Sequence, residues 1–129
     1  VQEVPLDQVE KYGIVKLIPG TQDMLDVVEK PKRTETPSRL AQFGRMILTP
    51  EIVSELRSTP LGKSNELWIT DAIKSYVGKG NQFRVVPVED GQWLTTGDPL
   101  NYLRAMISYA LEREDIGPAF SAYLKGLSL

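Results

Sequence analysis

The chain has 129 residues, 41% of them hydrophobic and 25% charged, and a formal net charge of −2. It contains neither cysteine nor histidine, which excludes disulfides, thiolate metal sites and both Ser-His-Asp and Cys-His catalysis. No basic field invites nucleic acid, no apolar run approaches the ~18 residues of a membrane span, and no signal-peptide pattern is visible, so a cytoplasmic protein is expected.

Residues 1–11 are polar and mixed, with Pro5 early. Tyr12-Gly13-Ile14-Val15-Lys16-Leu17-Ile18 reads as a strand by its β-branched content. Pro19-Gly20-Thr21-Gln22 is a turn, and residues 24–29 return as a second strand, which predicts a hairpin. Val27 and Val28 then deliver Glu29 and Lys30 to the strand end, where Pro31 stops ladder pairing. Residues 32–38 are a polar loop with a second proline, and residues 40–48 resume an apolar run.

Thr49-Pro50-Glu51 is a helix start, with Thr at the cap and Pro at the first helical position. The short helix 50–57 would bury Ile52, Val53 and Leu56. A loop with Pro60 and Gly62 follows, then a helix reaching about Val77, capped by Thr70 or Asp71. Gly78-Lys79-Gly80-Asn81 ends it and lacks the spacing of a phosphate-binding P-loop. Residues 83–88 read as a strand, and residues 93–96 as a short extended piece. Gly97-Asp98-Pro99 opens a helix that runs to about Glu112, with Leu100, Leu103, Ile107, Ala110 and Leu111 on one face. Gly117-Pro118 breaks it before a last short helix. The pattern is α/β, with a mixed sheet, in a single domain spanning 1–129.

Several residues carry two readings. Gly13 either bends its strand or lets a ligand approach the backbone closely. Glu29 and Lys30 put an acid and a base at a strand end beside a loop, where sites are often built, but a solvated strand end is the simpler account. Adjacent residues on a regular strand point to opposite faces, so the two converge only if the chain twists at Pro31. Lys30, Lys32, Arg33 and Arg39 form a basic loop that Glu35 dilutes. Asp71 and Asp98 are better helix caps than metal ligands, and Trp68 and Trp93 read as core.

Taken in order, several segments resemble one family. These are Val28-Glu29-Lys30-Pro31, Gly44-Arg45 with Ile47-Leu48-Thr49-Pro50-Glu51-Ile52, and Glu66 with Thr70-Asp71-Ala72-Ile73. Val4-Pro5 and the Tyr12-Gly13-Ile14-Val15 strand fit as well. Together they resemble the C-terminal half of the bacterial UTP–glucose-1-phosphate uridylyltransferases, which are sugar-phosphate nucleotidyltransferases. The resemblance implies a Rossmann-like α/β/α sandwich and an enzyme that joins glucose 1-phosphate to UTP, releasing pyrophosphate and UDP-glucose. It carries three roles over: Gly13 against the sugar, Glu29 on its hydroxyls, and Lys30 on its phosphate. Those chemistries suit the residue types.

Two departures accompany the likeness. The family has Asp-x-Gly-Asp-Lys, whose first Asp holds Mg²⁺, where this chain reads Thr95-Thr96-Gly97-Asp98-Pro99. Thr95 is a neutral oxygen ligand, a poor substitute for the carboxylate that a hard cation prefers. Trp68 also stands where the family usually has Gln. Nothing in these residues resembles the family's glycine-rich triphosphate loop, so they are expected to lack turnover by themselves and to pair as a homo-oligomer through an open sheet edge. The other readings are a thymidylyl- or guanylyltransferase, and a non-catalytic sugar-phosphate-binding or oligomerisation module.

Overall fold

The computed structural model describes residues 1–91 and 93–127. The β-branched run forms β2 (Gly13–Leu17), and the chain reverses into β3 (Met24–Glu29) as an antiparallel hairpin. Gly20 makes the reversal possible: its φ of +76° is left-handed, which a residue without Cβ adopts at little cost. The amide of Ile18 closes the turn on the carbonyl of Asp23 at 2.9 Å. Two short strands complete the sheet, β1 (Gln2–Glu3) and β4 (Leu40–Ala41), in the order β1-β4-β2-β3.

The α/β class holds, but every pairing within this sheet is antiparallel where a mixed sheet was expected. The reason lies in residues 30–39, which carry the chain from one side of β2 to the other, so that β3 and β4 each oppose β2. Ser38 fastens the end of that loop. Its hydroxyl donates to the carbonyl of Val15 and accepts from the amide of Leu40 at 2.9 Å.

Alternation along the strands puts Gly13, Val15, Val27 and Glu29 on one face. Helices α1 (Pro50–Ser58) and α2 (Ile69–Gly78) supply the rest of the core there: Ile52, Ile73 and Val77 close over Val15, Met24, Val27 and Val85. Of the apolar positions expected inside α1, Ile52 is buried, whereas Val53 lies one position further round the helix and is exposed.

A polar clasp joins the two helices. Glu55 of α1 accepts from Ser75 at 2.5 Å and from Lys79 at 2.7 Å. The Lys79 and Ser75 hydrogen bonds hold the Glu55 carboxyl below its ordinary range. Its contribution is therefore complete above the ordinary carboxylate range and disappears as pH falls through the lowered value. Melting temperature is expected to drop on acidification below that range, and Glu55→Gln should flatten part of the drop; an unchanged acid limb in the variant would contradict the clasp.

Residues 83–88 depart from the predicted strand. Their backbone divides its bonds between two places: Met24 donates to Phe83 and Val85 to Gln22, while the N-terminal amine of Val1 donates to Val86 and Val88 donates to Val1. Pro87 has no N–H to continue a ladder, and among the described residues these positions form one isolated bridge, Asp23 to Arg84. These bonds cover the start of β3 and of β1, which narrows the open edge expected to pair with another copy.

The chain divides into two compact units, Val1–Glu89 and Asp90–Leu129. The second contains α3 (Pro99–Glu112) packed against α4 (Gly117–Lys125). Asp98 caps α3 as its Asp-Pro signal predicts, accepting from the Asn101 amide at 3.0 Å. The apolar stripe of α3 is not buried: Leu100, Leu103, Ile107 and Leu111 are exposed, and Ala105 is the buried position. No helix of the described residues is long and apolar enough to cross a membrane.

Candidate functional site

The register of the sheet brings two of the predicted residues together directly, because Gly13 pairs with Glu29 across β2 and β3. The pairing of β4 continues one residue further, and the amide of Gln42 donates to the carbonyl of Gly13 at 2.9 Å. Gln42 therefore falls on the same face as Leu40, Gly13 and Glu29. Its side chain fills the space a Cβ on Gly13 would need, with Cδ 2.9 Å from that point and Glu29 Oε2 3.0 Å from it. Of the two sequence readings of Gly13, close approach is the one realised, and the approaching groups are the chain's own.

Thr70 completes a relay. It lies in the first turn of α2 and is 2% exposed. Its hydroxyl donates to Glu29 Oε2 at 2.8 Å and accepts from Gln42 Nε2 at 2.9 Å. This explains why Thr70 does not cap the helix as predicted: α2 begins at Ile69, Trp68 occupies the cap position, and no side chain caps it. With Oε2 held, Oε1 faces Lys30, whose ammonium is 3.8 Å away. The Glu29 side chain is 11% exposed and that of Lys30 37%, so solvent or a ligand reaches both, as it does the half-buried Gln42.

The convergence of Glu29 and Lys30 needs a twist, and it occurs one residue earlier than anticipated. Lys30 itself has φ 44°, in the left-handed region, before the buried Pro31. Such a conformation costs a non-glycine residue of order 1 kcal/mol and persists where surrounding structure fixes it. Here the Lys30 amide donates to the carbonyl of Tyr12 at 3.0 Å. The Lys30 ammonium also lies 4.4 Å from the ring centroid of Trp68. Trp68 was read as core, yet it is only partly buried.

Gln42 and Thr70 were not recognised from the sequence as parts of this cluster. Gln42 shows itself only once the register of β4 is known, and the Thr70 hydroxyl was assigned to a cap.

Thr95 is not among these residues. It belongs to the second unit, where it lines an open depression of about 420 Å³ with Trp93, Asn101 and Arg104. The donors there do not suit Mg²⁺. Thr95 offers a neutral hydroxyl, and the carboxylate of Asp98 is committed to the backbone amide and side-chain amide of Asn101. Among the described residues no group of three or more acidic, His or Cys side chains could hold a metal ion.

Comparison with known proteins bears on what such a cluster serves. Residues 1–112 match the nucleotidyl transferase family. The chain belongs to that family. It is 33% identical over 132 residues to a UTP–glucose-1-phosphate uridylyltransferase of Staphylococcus epidermidis, covering 100% of this chain and 45% of the relative. It is 30% identical to the Haemophilus influenzae protein of the same name, across 99% of this chain and 45% of that one. Among solved structures it superposes on UTP-bound UGPase from Acinetobacter baumannii with a TM-score of 0.79 at 31% identity, covering 98% of this chain and 44% of that one. A UDP-glucose pyrophosphorylase complexed with UDP-glucose gives 0.77 at 36% identity, over 87% and 43% of the two chains. The chain thus spans less than half the length of these relatives, and that share lends no support to the expectation that it is their C-terminal half.

Proposed function

We propose that these residues form the sugar-phosphate part of a UTP–glucose-1-phosphate uridylyltransferase. The observation that carries the reading is the cluster of Gly13, Glu29 and Lys30, held by Gln42 and Thr70, in a chain of the nucleotidyl transferase family. In this reading Glu29 accepts hydrogen bonds from the sugar hydroxyls through the oxygen that Thr70 leaves free. Lys30 neutralises the phosphate, and Gly13, which has no Cβ, lets the ring lie near the backbone once the Gln42 side chain that covers it swings aside. The new bond joins a sugar-phosphate oxygen to phosphorus of UTP, and pyrophosphate leaves. Such transfer needs positioning and charge neutralisation far more than covalent help. Mg²⁺ is assigned to no residue here.

The relatives are UTP–glucose-1-phosphate uridylyltransferases, which favours uridylyl over thymidylyl or guanylyl transfer. Because the sequence carries no glycine-rich triphosphate-loop motif, these residues bind the sugar phosphate without turning it over. Calorimetric titration with glucose 1-phosphate, alongside a pyrophosphate-release assay with UTP and Mg²⁺, tests both halves. Saturable binding without release is the expected result. Absence of binding would remove the function, and saturable release would remove the inactivity.

A further inference from the structure

Trp68 adjoins the site through Lys30, whose ammonium lies 4.4 Å from the centroid of its ring. Its placement is built rather than incidental. The loop before it turns back on itself, with the Gly62 amide donating to the Glu66 carbonyl at 2.8 Å and the Asn65 amide to the Gly62 carbonyl at 3.1 Å. Ser64 and Asn65 both adopt left-handed backbone to make that turn, at φ 60° and 59°. Gly62 lies against the indole and Asp71, so that a Cβ there would come within 3.3 Å of Trp68 Cδ1 and collide with the Asp71 carboxylate. The ring is thereby set at the head of α2, two residues before Thr70, with the Lys30 ammonium over its face at 4.4 Å.

Resting on the function proposed above, we infer that Trp68 is a positioning residue that holds the Lys30 ammonium beside Glu29 and so sets the site's affinity for an anionic sugar. A lysine has four rotatable side-chain bonds, and an exposed one ordinarily spends little time in a single place. Here one side of the ammonium faces the negative face of the indole and another faces Glu29 Oε1 at 3.8 Å. The rotamer is selected before a phosphate arrives, and the incoming anion meets a charge already in place. The ring contributes no hydrogen bond to the substrate. It acts through Lys30, and its loss therefore weakens binding of the phosphorylated sugar only while Lys30 is present.

That dependence supplies the test, a double-mutant cycle read by titration with glucose 1-phosphate in a Trp93→Phe background, where Trp68 is the sole indole. Trp68→Ala is expected to lower affinity about fivefold when Lys30 is present, corresponding to about 1 kcal/mol, and to change nothing in Lys30→Met. Trp68→Phe, which keeps an aromatic face, should restore most of the affinity, and thermal melts of all variants verify folding. Independently of any ligand, Lys30→Met should shift the emission of Trp68. Unchanged emission overturns the inference, as does an equal loss in both backgrounds or no loss in either. If the parent binds no glucose 1-phosphate while the emission shift is intact, the proposed function falls and takes the substrate role of Trp68 with it. If binding survives and the cycle shows no coupling, the function stands and this inference alone fails.

Discussion

Glu29→Ala should lower the affinity for glucose 1-phosphate about 100-fold, equivalent to about 2.7 kcal/mol. Two losses combine in this change. The free carboxylate oxygen no longer accepts from sugar hydroxyls, and hydrogen bonds to a charged acceptor are worth about 1.5–3 kcal/mol each. The Lys30 ammonium also loses the neighbour 3.8 Å away that helps to fix it. A stability cost accompanies the binding loss, because Thr70 is 2% exposed and its hydroxyl would be left without its acceptor. Stranding a buried hydroxyl costs about 1–3 kcal/mol, readable as a lower denaturant midpoint. Glu29→Gln keeps an acceptor for Thr70 and should recover most of the stability but little of the binding. Equal affinities for the wild type and Glu29→Ala would show that the carboxylate has no part in holding sugar.

Gly13→Ala is expected to separate binding from stability. A Cβ at this position would lie 2.9 Å from Gln42 Cδ and 3.0 Å from Glu29 Oε2, both in side chains rather than backbone. Gln42 and Glu29 can swing away, and strand backbone accepts alanine readily, so the melting temperature should change little. The swing costs Thr70 the hydrogen bond from Gln42 but leaves its hydroxyl a carboxylate to donate to, while it turns the other oxygen of Glu29 away from the sugar. Affinity should fall at least tenfold, about 1.4 kcal/mol, with the melt nearly unchanged. Loss of both together would mean that the residue serves packing alone, and loss of neither would mean that the site tolerates a displaced Glu29.

What the sequence allowed to be read follows from how local each determinant is. The β2–β3 hairpin was legible because a β-branched run, a Pro-Gly turn and a second apolar run lie within 18 residues, 12–29. The start of α3 was legible because Asp98 and Pro99 signal it by themselves. Gly13, Glu29 and Lys30 entered through resemblance to a family, while the residues alone favoured a solvated strand end. The relay was not legible. Gln42 reaches Gly13 only through the pairing of β4 with β2, and Thr70 reaches Glu29 only once α2 packs on β3. Neither contact leaves a periodicity or a motif. The twist that joins Glu29 to Lys30 was assigned to Pro31 because proline is the visible constraint, whereas the left-handed residue is the lysine before it. Residues 83–88 misled for the opposite reason: their composition is strand-like, but the positions of their partners, Val1 and the start of β3, divide the pairing.

The central claim is that Glu29 and Lys30 share a site bordered by Gly13 where a hexose and its phosphate are held together. The most direct measurement is an amide-resolved NMR titration of the chain with glucose 1-phosphate. The account predicts saturable shifts that move together at Gly13, Glu29, Lys30, Gln42 and Thr70, with the Trp68 indole proton following them. Shifts that leave these residues still while others move, or no saturable shift at millimolar ligand, would contradict it.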